Sequence, residues 1–189
     1  MLKKRSLIIT VVLIIAASLV FGFLYDGIIT SIEKKEHPQK YNEYVSSASE
    51  KYGVPEAFIY AVIKTESAFD PDAVSRAGAI GLMQLMPSTF EDLTNNFTRE
   101  KLSADRIYDP ATNIKYGVYY LSWLYSKFGD WNTVAAAYNC GIGDVLDWLA
   151  SSEYSDDGKT LKYIPVAETR AYVRKVGAAR ETYERLYYT

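Results

Sequence analysis

The chain has 189 residues, 49% of them hydrophobic and 23% charged, which fits one compact domain and excludes a disordered or fibrous chain. A single cysteine, Cys140, excludes an internal disulfide framework and a multi-cysteine metal site, and a single histidine, His37, argues against a zinc centre or a histidine-based triad. Any catalysis must rest on carboxylates, hydroxyls and amides, and no metal or cofactor is implied.

The first element is an apolar run, "LIITVVLIIAASLVFGFL", from Leu7 to Leu24, without a charge. As a helix it would span roughly 27 Å, close to the ~30 Å hydrocarbon thickness of a bilayer. Lys3, Lys4 and Arg5 precede it directly, and such residues tend to stay in the cytoplasm, so the chain is expected to cross once and face outward after residue 25. A cleaved signal peptide competes with this reading, although the small-residue cleavage pattern is poor in "SLVFGFLYDG". The expected organisation is a cytoplasmic tip and transmembrane anchor over 1–25, a juxtamembrane spacer over 26–40 and a catalytic domain over 41–189.

Residues 26–189 carry 18 basic against 23 acidic residues, a net charge of −5. Such a domain is a poor nucleic-acid binder, and it cannot be held to an anionic wall by bulk attraction. From Tyr41 onward the pattern is helix after helix, with no convincing alternating strand. Pro55 opens one helix and Asp70-Pro71 is expected to close it. Along "PEAFIYAVIKTES", Ile59, Val62 and Ile63 fall at helical spacing and Glu66 is the next member of the stripe. A carboxylate there, in the last turn, meets an apolar wall and the negative end of the helix dipole. Both disfavour ionisation and raise its pKa, as a general acid near neutral pH requires.

"SRAGAIGLMQLMPSTFEDL" gathers Gly78, Ala79 and Gly81 ahead of Met83, Gln84 and Met86, with Pro87 opening a new helix. It reads either as a tight turn before a Met-lined core or as backbone that approaches a ligand closely, with Gln84 offering a donor and an acceptor. "YDPATNIKYGVYYLSWLYSKF" starts at an Asp109 cap. Ile114, Gly117, Val118, Leu121, Leu124 and Phe128 share one face, so this is a packing helix with no assigned chemistry. The next helix starts at an Asp130 cap and ends at Tyr138-Asn139-Cys140-Gly141, where Asn and Gly are ordinary stop signals and Cys140 is expected to be an inert buried thiol. Residues 151–159, "SSEYSDDGK", are rich in turn formers and are expected to edge a groove or form a flap.

Taken together, "ES", "GLMQLMP", "AYNCG" and "ETRAYVRKV", in that order over residues 41–185, resemble the soluble lytic transglycosylase family, the goose-lysozyme-like domains that cut bacterial peptidoglycan. The resemblance implies a mostly α, lysozyme-like domain with a glycan-binding groove. It implies Glu66 as catalytic acid and base. Ser67 would help hold the leaving-group side, Gly81, Leu82, Met83 and Gln84 would line the groove, and Gln84 would bond sugar substituents. Tyr138 and Asn139 would serve the "AYN" segment, Tyr138 near the Glu66 carboxylate, and Glu168 and Tyr172 would match the family's late glutamate and tyrosine. Cys140 departs from the alanine of many members. Tyr163 and Tyr172 also stand out among seventeen tyrosines as candidate stacking surfaces for sugars.

Most glycosidases use two carboxylates, but Glu66 has no obvious partner in the sequence. A lone carboxylate suits the reaction that the resemblance implies, cleavage between N-acetylmuramic acid and N-acetylglucosamine with closure of a 1,6-anhydro ring. Two other readings stay open: a hydrolytic muramidase of the same fold, and a non-catalytic glycan-binding scaffold of an envelope complex. The expected partners are peptidoglycan strands and the cytoplasmic membrane, with envelope proteins unassigned.

Overall fold

The computed structural model describes residues 2–189, with side chains at positions 13, 15 and from 18 onward. It divides into two compact units, one ending at Pro38 and one over Gln39–Thr189.

The first unit is one helix, α1 (Leu2–Glu36), with Lys34 and Lys35 in its last turn, where cations complement the carbonyl end of the dipole. The apolar run and most of the stretch assigned to a spacer thus form one continuous element, ending just before Pro38. The membrane span expected over Leu7–Leu24 lies in part outside the described residues, and among those described no helix is long and apolar enough to cross a membrane.

The second unit is built on α3 (Glu56–Ser67), which follows α2 (Asn42–Tyr52). Seven consecutive residues of α3, Ala57 to Ile63, are buried. A helix apolar all round belongs at the centre of a bundle rather than on its surface, so the stripe of Ile59, Val62 and Ile63 is part of a fully enclosed segment. Around it pack α5 (Pro110–Phe128), α6 (Trp131–Cys140) and α8 (Ala167–Tyr187), after the short α4 (Pro87–Asp92) and before the short α7 (Ile142–Leu149). The contact of α3 with α8 is the most extensive, and aromatic pairs fix it. Tyr60 stacks on Tyr183 with ring centroids 5.2 Å apart, and Phe58 meets Trp131 of α6 at 4.4 Å.

Both proposed caps form. Asp109 Oδ2 accepts from the Thr112 amide at 2.9 Å and Asp130 Oδ2 from the Thr133 amide at 2.8 Å, which starts α5 and α6 at fixed points. The end of α3 differs from expectation. The helix stops at Ser67, ahead of Asp70-Pro71, because Ala68 (φ 50°) and Phe69 (φ 68°) both adopt left-handed conformations. Such residues cost roughly 1–2 kcal/mol each, and burial of the Phe69 ring, tilted against Tyr60 with centroids 6.4 Å apart, holds the second of them in place. The chain therefore turns away immediately after Glu66 and Ser67.

Between α3 and α4 the chain makes a tight loop with isolated bridges rather than strands. Ile80 and Leu85 exchange backbone bonds at 2.9 and 3.0 Å around a turn closed by Gln84 N–H to Gly81 C=O at 3.1 Å. Its apolar residues enter two cores: Leu82 and Met83 join the main one, and Ile80 and Leu85 join a smaller one with Phe90, Leu93, Ile107 and Tyr116. Met83 fits against α5 only because position 117 is glycine, since a Cβ there would lie 2.9 Å from the Met83 Cβ. Gly117→Ala gains about 1 kcal/mol of helix propensity against roughly 1–3 kcal/mol of overpacking. The substitution is expected to destabilise the domain, read as a lower urea midpoint at unchanged slope.

Candidate active site

Glu66 sits where the buried helix emerges, one residue before its end, and is itself partly buried. Desolvation pushes its pKa from 4.5 up to about 7, and the shift is partly opposed by a hydrogen bond from the Tyr172 hydroxyl to Oε1 at 2.6 Å. Among the described residues no second carboxylate figures in that shift. Burial and the nearby Glu66 charge raise the phenols of Tyr172 and Tyr138 well above 10, so both stay neutral donors. A carboxyl poised near 7 beside fixed neutral donors can give a proton and take one back within a narrow pH range.

The loop over 80–85 is fastened to Glu66's end of α3 from three sides. Ser67 Oγ donates to Leu82 C=O at 2.8 Å as well as to Ile63 C=O at 3.2 Å. Tyr138, at the end of α6, donates to Met83 C=O at 2.8 Å. Asn113 of α5, 1% exposed, takes the Met83 amide on Oδ1 at 2.8 Å and donates from Nδ2 to Ile80 C=O and Ile107 C=O, both at 2.9 Å. Gly81 (φ +79°) lies directly against it, where a Cβ would fall 2.9 Å from the Asn113 Cγ.

The predicted site residues are placed as follows. The partner of Glu66 is Tyr172 of α8, whereas the Tyr138 hydroxyl is used on the loop backbone and reaches Glu66 only through its charge. Leu82 and Met83 are 0% exposed, so their side chains form core and only their backbone can line a groove. The Gln84 amide nitrogen is spent on Ala73 C=O (3.0 Å) and Gly81 C=O (2.9 Å), which steadies a residue at φ +48°. Gln84, Tyr138 and Asn139 do share a cleft of about 220 Å³, walled also by Leu85, Tyr120 and Cys140. Cys140 is half-buried there rather than enclosed, its thiol raised by burial and bonded to Ala136 C=O at 3.2 Å. Asn139 is exposed, and its amide has no hydrogen bond among the described residues. Glu168 is exposed in the first turn of α8, one turn before Tyr172 and so on the same side of the helix. Tyr163 lies elsewhere, 48% exposed against Tyr154 and Arg170. The segment 151–159 is tied down by Asp157, which accepts from the amides of Lys159 and Thr160, both at 2.8 Å, and is held well below the usual carboxylate range by those bonds.

Asn113 is the functional residue that pattern reading passed over. The test that picked out Glu66, a polar side chain on a buried helical face, singles it out equally, since it stands four residues before Gly117 on the inner face of α5.

Over residues 43–161 the chain matches the family described as Transglycosylase SLT domain. It belongs to that family. The matched stretch holds Glu66, the 80–85 loop, Asn113 and Tyr138, while Tyr172 lies beyond it. Among curated relatives, the soluble lytic murein transglycosylase of Escherichia coli K12 is 35% identical over 147 residues, covering 76% of this chain and 23% of that protein. The membrane-bound lytic murein transglycosylase C of Edwardsiella ictaluri is 35% identical over 181 residues, covering 82% and 49%. The chain therefore spans between about a quarter and half the length of these relatives. The X-ray structure of an inactive mutant of the lytic transglycosylase Slt from Pseudomonas aeruginosa superimposes with a TM-score of 0.71 at 32% identity, covering 80% of this chain and 25% of that one. This SLT domain is accordingly mostly helical with the fold of its lytic transglycosylase relatives.

The raised pKa of Glu66 has a stability consequence. Below about pH 4 the carboxyl is protonated in both folded and unfolded chains. As pH rises through 7 the folded form must hold a charge it disfavours, which costs up to about 3 kcal/mol at 1.36 kcal/mol per unit. Glu66→Gln should thus be more stable than the unsubstituted chain at pH 8 and similar to it at pH 4 in urea titrations. Asn113→Ala should lose about 3 kcal/mol or more, because it strands three buried backbone groups at roughly 1–3 kcal/mol each.

Proposed function

We propose that this chain is a peptidoglycan lytic transglycosylase that cleaves the β-1,4 bond between N-acetylmuramic acid and N-acetylglucosamine, with Glu66 as its single acid and base. The observation that carries this reading is a lone, desolvated carboxyl near its neutral point, hydrogen-bonded by Tyr172. Support comes from membership of the SLT domain family and from relatives named as lytic murein transglycosylases. The inactive Pseudomonas form carries a glutamine in place of one glutamate, as expected of a reaction that hangs on one carboxyl.

In the first step the Glu66 carboxyl gives its proton to the glycosidic oxygen, and the C1–O bond breaks with the electron pair leaving on the N-acetylglucosamine oxygen. The resulting carboxylate, steadied by the Tyr172 hydroxyl, then takes the proton of the muramoyl C6 hydroxyl as that oxygen bonds to C1. The product is a 1,6-anhydromuramic end, and Glu66 is protonated again. No external water is consumed, and the attacking oxygen is already held on the same sugar, an intramolecular advantage that removes the need for a second carboxylate. Asn139, with its free amide, and the 81–84 backbone are suited to bind sugar substituents at the cleft. Glu168 stands one turn before Tyr172 on α8, and Ser67 acts by holding the loop against α3.

The apolar run in α1 would place this activity at the outer face of the cytoplasmic membrane. Its described side chains Leu19, Phe21, Phe23 and Leu24 are all exposed, a surface that lipid would cover. The membrane-bound relative from Edwardsiella is consistent with such an anchor.

Digestion of purified peptidoglycan followed by mass spectrometry tests the reaction. Fragments lighter by one water than hydrolysed ones, and resistant to borohydride, are expected; reducible ends would make the enzyme a muramidase instead. Glu66→Gln should lower turnover by at least about a hundredfold. The rate should fall as pH rises through about 7, where the acid is lost. Because the Tyr172 bond favours the ionised form, Tyr172→Phe should move that alkaline limb to higher pH, and an unmoved limb would remove Glu66 as the acid.

A further inference from the structure

We propose that the stretch of α1 just beyond the apolar run is a pairing surface for a second copy of this chain, with Leu24, Ile28 and Ile32 of each helix seated in the dip at Gly27 and Ser31 of the other. This goes beyond the proposed reaction and borrows from that reading only the membrane anchor. Leu24, Ile28 and Ile32 follow one another at i+4 and are 58%, 60% and 50% exposed. Beside that ridge runs a second row at the same spacing, Phe23, Gly27 and Ser31, in which a glycine and a serine leave the dip. Ridge and dip together line a recess of about 510 Å³, with Lys35 at its far end. A Cβ added at Gly27 would meet nothing within 4 Å, so the dip is open.

The position of this face calls for cover. Gly27 and Ser31 stand roughly 5 and 10 Å past Leu24 along the axis, at 1.5 Å per residue. Lipid chains would cover the run that ends at Leu24, but Ile28 and Ile32 lie past it, where water and headgroups meet two large apolar side chains. Burial would strand no hydroxyl there, since the Ser31 side chain already donates to Gly27 C=O at 2.8 Å.

The shape of the face names its occupant. A ridge and a dip of the same pitch, side by side on one helix, complement themselves about a two-fold axis running between parallel helices. Each ridge then enters the other copy's dip, and small residues four apart let the two backbones approach closely, in the right-handed crossing that such pairs adopt. The anchor supplies the orientation. With Lys3, Lys4 and Arg5 ahead of the apolar run, every copy enters the bilayer in the same direction and presents this face at the same depth. A crossing at Gly27 and Ser31 also carries the two Lys35 side chains toward the diverging ends of the helices, away from each other.

Disulfide capture in the 189-residue chain, held in phosphatidylcholine vesicles and with Cys140→Ser removing the native thiol, tests the pairing. Ile28→Cys, on the ridge, should form a covalent dimer at least tenfold faster than Asp26→Cys, which lies at nearly the same depth but about 200° around the helix. Adding Gly27→Leu to Ile28→Cys fills the dip with a residue that helices favour, and should slow capture at least tenfold with the helix content by circular dichroism unchanged. Equal rates at the two positions would mean random collision, no capture at either would leave the face to lipid, and capture that survives Gly27→Leu would mean pairing without the dip; each of these would overturn the proposal. The readout does not involve turnover on peptidoglycan, so failure of the pairing surface and failure of the lytic reading are told apart.

Discussion

The bond from the Tyr172 hydroxyl to the Glu66 carboxyl is the constraint on which the site depends. It joins the end of the most buried helix, α3, to α8, across 106 residues of sequence. The two helices are brought together by burial, through Tyr60 on Tyr183 and the seven enclosed residues of α3. Burial has opposite effects at the two ends of this arrangement. In the middle of α3 it stabilises the fold; at Glu66 it disfavours the charge and lifts the carboxyl toward neutral pH. The raised pKa is thus a by-product of where the central helix ends.

The loop over 80–85 faces the same problem from the other side. It must bring polar backbone close to Glu66 while its own side chains are apolar, and it does so by sending Leu82 and Met83 into the core and having its carbonyls and amide met by Ser67, Tyr138 and Asn113. Two glycines make this possible for different reasons. Gly81 permits a positive φ against the Asn113 side chain, and Gly117 leaves room on α5 for Met83. Positive φ at Ala68, Phe69 and Gln84 clusters at the same place. Strain of this kind persists only where surrounding packing over-determines it, and here a buried Phe69 ring and two bonds from the Gln84 amide do so.

On α8 the two faces have separate duties. The inner row anchors the fold and touches the proposed acid, while on the outer row Arg170 ties down the Ile164 and Pro165 carbonyls and Arg174 and Glu181 are exposed.

The local elements were legible in the sequence because local physics sets them. Asp109 and Asp130 start helices by capping, Pro87 opens one, and a carboxylate at an apolar helix end is enough to predict the raised pKa of Glu66. The four short motifs pointed to the family for the same reason: residue type and order suffice. Tertiary structure alone decided which phenol meets Glu66, since Tyr138 and Tyr172 are equally good donors and only helix packing assigns one to the carboxyl and the other to Met83 C=O. It alone decided that Leu82 and Met83 are core, that Asn113 holds the loop, and that Arg170 and Arg174 face away from the cleft. Sequence spacing gives the face of a helix that a residue occupies, but what that face meets is fixed only when helices distant in the chain compete to bury their apolar sides together.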